Sequence, residues 1–127
     1  MIPTHICFKQ GVQWRPSHAL WAPNRILQVA LETAPPTDDG ILWVTDGWRE
    51  PRDPGKLDLH NLCLAWDFRI RNFSVGTWDA KEEFNRRRTT AWGWVNMMRD
   101  VHADGRFQFD VHGEGASIHT HAEFDPR

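Results

Sequence analysis

Cys63-Leu64-Ala65-Trp66-Asp67-Phe68-Arg69-Ile70 decides the fold class. Leu64, Trp66, Phe68 and Ile70 alternate with Cys63, Ala65, Asp67 and Arg69, the period of two that sends one set of side chains to each face of a β-strand. The apolar face of such a strand must be covered. The other face carries an acid, Asp67, inside an otherwise apolar segment.

Working downstream, the period changes from Asp79 to about Val101, where Phe84, Ala91, Val95 and Met98 fall on one side of a 3.6-residue helix. Asp104-Gly105 separates this long helix from a strand over Arg106–Val111, and Gly113-Glu114-Gly115 leads to a last strand, Ser117–Phe124. Upstream, a polar loop runs from Asp46 to about Leu59, preceded by a short buried strand over Ile41–Thr45 and a breaker over Pro35–Gly40. A helix entered through Pro23 is expected at about 23–33. The first 20 residues show no clean period. The order helix, strand, strand, helix, strand, strand predicts an α+β fold, a small antiparallel sheet with helices packed on one side.

A chain of 127 residues with 40% hydrophobic content suits one domain over 1–127. Its eight tryptophans and seven phenylalanines supply large apolar surfaces for a core. The net charge of −2, from 15 basic and 17 acidic residues, offers no general attraction to nucleic acid or an anionic membrane. Arg86-Arg87-Arg88 stands one turn from Glu82 and Glu83, which reads as a solvated charged face rather than a nucleic-acid patch. Trp92 and Trp94 read as core or groove wall. No signal peptide or membrane anchor is legible, so the chain is expected to be made in the cytoplasm without an export signal. Cys7 and Cys63 form no CxxC pair and are expected to be reduced thiols.

His119, His121 and Glu123 occupy positions i, i+2 and i+4 of the last strand, so two imidazoles and a carboxylate share one face. That face is either an exposed polar surface or half of a zinc site. Asp67 needs a cation or donors if it is buried: a metal ion, or an arginine such as Arg69 or Arg49. With His60 seven residues before Asp67 and the HxH pair later, three ligands and an open fourth position become available, the pattern of catalytic zinc.

These residues resemble a known family. His60-Asn61-Leu62-Cys63-Leu64-Ala65-Trp66-Asp67 is similar to the SxHxxGxAxD motif of the D-alanyl-D-alanine carboxypeptidases and phage L-alanyl-D-glutamate endopeptidases, which share a zinc core with hedgehog and lysostaphin-type relatives. Val44-Thr45-Asp46-Gly47-Trp48-Arg49 resembles the family's VTSGYR segment, and His119-Thr120-His121-Ala122-Glu123 its C-terminal HxHxE strand. The likeness spans about 41–126. It implies a zinc peptidase with His60, Asp67 and His121 as metal ligands, Arg49 holding substrate and His119 beside the reacting group. The chain departs from the family at Cys63 for glycine, Asp58 for serine and Trp48 for tyrosine. Ile118 stands where an ExWH motif has its glutamate base.

The resemblance implies hydrolysis of peptidoglycan stem or cross-link peptides, as a carboxypeptidase or endopeptidase of phage or prophage type acting on the bacterial wall. A base must lie within about 3 Å of the attacking water. His119 is the first candidate, with Asp110 and Glu114 behind it. Glu123 is expected to orient a ligand imidazole. The alternative is a non-catalytic zinc-binding protein that keeps the fold. His5, His18, His102 and His112 have no spacing that selects them.

Overall fold

The computed structural model describes residues 1–126. Strands β1 (His5–Phe8), β2 (Ile41–Asp46), β3 (Ala65–Arg69), β4 (Phe107–His112) and β5 (His119–Phe124) combine with helices α1 (Trp21–Thr33) and α2 (Ala80–Val101) in an α+β fold. The strands form one five-stranded sheet in the order β1-β2-β3-β5-β4. β1 runs parallel to β2, and the other pairs are antiparallel.

Alternation along the strands divides the sheet into two faces. Leu42 and Val44 of β2, Trp66 and Phe68 of β3, Phe107 and Phe109 of β4 and Ala122 of β5 are buried on one face. They pack with Ile26, Val29 and Ala30 of α1 and Ala91, Trp94, Val95 and Met98 of α2. Burying each large side chain stabilises the fold by roughly 1.5–3 kcal/mol relative to exposure. The indoles also meet polar partners: Trp94 Nε1 donates to Thr33 Oγ1 at 2.9 Å, tying the helices together. Trp66 Nε1 donates to Pro23 O at 3.0 Å, anchoring α1 to β3.

Helix α2 starts where Asp79 accepts a hydrogen bond from the Glu82 amide, with Glu82 and Glu83 in its first turn and Arg99 in its last. Arg86–Glu82 and Arg87–Glu83 pair one turn apart at 2.9 and 3.4 Å. Trp94 is in the core, and Trp92 is partly exposed. Among the described residues no helix is long and apolar enough to cross a membrane.

Several boundaries differ from expectation. β1 lies in the segment without a clean period, because its four residues alternate little in burial and its register comes from β2. It also makes the sheet mixed rather than wholly antiparallel. β3 begins at Ala65 rather than Cys63, since Cys63 has a left-handed φ of 59° and ends a turn held by Leu64 N–H to Leu59 O at 2.8 Å. β5 begins at His119 rather than Ser117, because Gly115–Ser117 forms a 3-10 turn. β4 reaches His112, which pairs with His119. α1 begins at Trp21, with Pro23 inside its first turn.

Candidate metal centre

The face of the sheet opposite the helices carries the polar residues. Asp67 lies directly across the ladder from His121, and His121 lies across from Asp110 on its other side. One step along, His119 faces Arg69 and His112. A direct cross-strand pair brings Cβ atoms to about 5 Å, within reach of shared ligation.

His60 enters from the turn between β2 and β3, closed by Cys63 N–H to His60 O at 3.2 Å. It is almost completely buried. Its Nδ1 lies 2.7 Å from Gly47 O. A carbonyl only accepts, so Nδ1 carries the proton and Nε2 faces Asp67 Oδ1 at 3.1 Å. Glycine is required at 47: a Cβ there would sit 2.6 Å from Gln13 O and 2.8 Å from the Trp66 ring. The motif glycine therefore lets the backbone come close enough to orient the imidazole.

His121 completes the set. Its Nδ1 is 2.7 Å from Asp67 Oδ1 and its Nε2 is 2.9 Å from Glu123 Oε1. Glu123 thus reaches the ring from the side away from Asp67. His60, Asp67 and His121 are all buried and offer ligand atoms within 4.8 Å of one another. Two imidazole nitrogens and a carboxylate oxygen are donors that a divalent metal ion accepts. Their outer bonds, to Gly47 O and Glu123, fix the rings as ligand imidazoles are usually fixed. The donor set therefore fits a metal ion.

Electrostatics point the same way. Burial by itself would push the Asp67 carboxyl up, but hydrogen bonds from His121 and His60, with the His60 and His119 charges, hold it well below the usual carboxylate range. Burial disfavours a charged His121, yet its bonds to Asp67 and Glu123 and their charges raise its pKa. The pocket is arranged to hold positive charge. Neither arginine supplies it: Arg49 pairs with Asp46 at 3.0 Å, and the Arg69 guanidinium lies over the Trp43 ring.

His119 stands beside this set rather than in it. Its Nδ1 donates to Ser117 O at 2.9 Å, so Nε2 points into the site, 3.5 Å from Asp67 Oδ2. An open cleft of about 460 Å³ is lined by Arg49, Asp58, His60, Asp67, His119 and His121 among others. Asp110 accepts from Val111 N–H and contacts His112 Nε2, and it lines a neighbouring hollow with His121. Glu114 bonds Ser117 through its backbone and does not line the cleft.

Two histidines outside the expected set matter here. His112 also lines the cleft, and its ring stacks on His121 with centroids 4.6 Å apart. The signal for it was the parity of Gln108, Asp110 and His112 against Phe107, Phe109 and Val111, which puts His112 on the polar face. His18 is buried against the Trp66 ring at 4.2 Å and accepts from Arg15 N–H. Burial, reinforced by the His60 charge, lowers its pKa, and the ring serves packing against Trp66.

Comparison with known proteins returns no matching family model, no matching curated protein and no matching solved structure.

Proposed function

We propose that this chain is a zinc peptidase that hydrolyses stem or cross-link peptides of peptidoglycan, of the phage or prophage type. The observation that carries the reading is the convergence of His60 Nε2, Asp67 Oδ1 and His121 Nδ1 in the wall of an open cleft that His119 shares. Bound there, zinc supplies Lewis acidity and a water acidified toward neutrality.

The chain's own residues supply the rest. His119, held by Ser117 O, presents Nε2 to the cleft to take a proton from the attacking water or to donate to the developing oxyanion. Arg49, about half exposed beside the cleft, is positioned to grip a substrate carboxylate. Asp46 holds its guanidinium in place at 3.0 Å. Gly47 and Glu123 hold the two ligand rings in the orientations that leave one nitrogen of each for the metal.

A second reading, a zinc-binding protein without turnover, is favoured by one feature. Ile118 takes the place of the ExWH glutamate and packs against the core, and Glu114 does not replace that base in the cleft. Purified cell walls separate the two readings. The zinc-loaded protein should release new amino groups or clear turbidity, and a chelator should stop it. Full zinc content without any release would leave only the non-catalytic reading.

A further inference from the structure

We infer that the centre has a second seat for a divalent cation, formed by His112, His119 and His121. These three offer ligand nitrogens within 4.8 Å of one another, as the buried set does. The inference rests on the proposed reading of His60, Asp67 and His121 as the principal metal ligands, and adds to it His112, which neither the motifs nor that reading uses.

The strand register builds this second set. His119 and His121 lie two apart on one face of β5, and His112 pairs directly with His119 from β4. An i, i+2 pair plus the residue across the ladder is a natural tripod for a tetrahedral ion, whose donors stand about 3.3 Å apart at zinc–nitrogen distances near 2.0–2.1 Å. His119 already has Nδ1 bonded to Ser117 O, which leaves Nε2 as its ligand atom. His112 is exposed, its ring lies against both His121 and His119 with centroids 4.6 and 5.9 Å away, and its hydrogen bond is to Asp110 at 3.2 Å, so a turn of the ring closes the tripod.

The two seats share His121. A neutral imidazole has one free lone pair, so His121 serves one ion at a time and the seats are alternatives. Two differences rank them. The inner seat contributes a carboxylate that balances cation charge and three buried ligands, whereas the outer one is made of neutral rings with His112 exposed. The inner seat therefore holds the ion when intact, and the outer one takes it when the inner is damaged. An ion in the outer seat occupies His119 Nε2, which removes that group from proton transfer. The position of the metal thus distinguishes a working centre from a blocked one.

Cobalt(II) titration, followed by its visible absorption and by competition with a chelator of known affinity, tests this on four proteins. Wild type and His112→Ala should each bind one equivalent with affinities within about threefold of each other. His60→Ala should bind one equivalent at least about tenfold more weakly than wild type, with an altered spectrum, and His60→Ala/His112→Ala should weaken it at least about tenfold again. His60→Gln and its double variant replace the alanine pair if circular dichroism shows the latter unfolded. The inference is overturned if the double variant binds cobalt as well as the single His60 variant, or if the folded single variant binds none. A different result, in which His112→Ala loses the wild-type affinity and His60→Ala keeps it, would reject the principal assignment itself.

Discussion

Asp67 Oδ1 lies between two histidine nitrogens, 2.7 Å from His121 Nδ1 directly across the β3–β5 ladder and 3.1 Å from His60 Nε2. Both imidazoles have their other nitrogen tied, one to Gly47 O and one to Glu123. This one oxygen joins the sheet to the turn that covers it. Asp67→Ala should remove nearly all bound zinc and lower the melting temperature of the zinc-loaded protein, since binding to the folded state adds to its stability. His60→Ala and His121→Ala should each lose the tight zinc as well. Metal analysis after dialysis checks this, and full retention in all three variants would reject the ligand set.

Gly47→Ala tests the support of His60 without touching a ligand. The added methyl would meet Gln13 O and the Trp66 ring at 2.6 and 2.8 Å, so the segment must shift and carry Gly47 O with it. Zinc affinity should fall roughly 10–100-fold, the range for losing an orienting partner. Affinity equal to wild type would show that His60 does not depend on that carbonyl.

Cys63 explains how one departure from the motif is accommodated. Its φ of 59° is the left-handed conformation that glycine adopts without strain, and the position is otherwise buried. Cys63→Gly should therefore be tolerated within about 1 kcal/mol, the relief of strain offsetting lost packing and added chain entropy. Cys63→Val should destabilise by about 1–3 kcal/mol despite its apolar side chain, because a β-branched residue suits that φ worst. Urea denaturation of both variants decides the point, and a valine variant as stable as the glycine one would contradict it.

The ion-free protein should have a distinct pH dependence. His121 has a raised pKa in the fold, so its contribution is complete below its unfolded value of about 6.5 and is lost as pH rises through the folded value. Asp67 has a lowered one, so its contribution is present above its unfolded value of about 3.9 and is lost as pH falls through the folded value. His18, with its lowered pKa, acts in the opposite direction over the same range, so the effect of His121 is read by difference: between pH 5.5 and 8.5 the chelated wild type should lose more stability, or gain less, than chelated His121→Gln. Zinc, by taking the place of the proton on Nδ1, should reverse that difference. A His121→Gln protein with the same pH dependence as the wild type would contradict the raised pKa of His121.

Much of the centre was legible because strand parity is a local property. Alternation alone put Asp67 on the face opposite Trp66 and Phe68, and His119, His121 and Glu123 together on theirs. The 3.6-residue period likewise located α2 to within a residue. What local pattern could not provide was register and close approach. β1 is a short strand whose partner is more than 30 residues away, and nothing in His5-Ile6-Cys7-Phe8 names that partner. His112 was missed because its relevance comes from standing opposite His119, which depends on the 3-10 turn between β4 and β5. The bond from His60 to Gly47 spans 13 residues of irregular loop.

The most direct test is to measure zinc content and peptide-bond cleavage in purified peptidoglycan on the same preparations of wild type and His119→Ala. The wild type should carry one zinc and release amino groups in a chelator-sensitive, zinc-restorable way. His119→Ala should keep its zinc and fold while losing about 10²–10⁴-fold in rate. Zinc-loaded wild type that releases nothing above the zinc-free protein would contradict the peptidase reading. A His119→Ala protein that cleaves at the wild-type rate would contradict the role given to that imidazole.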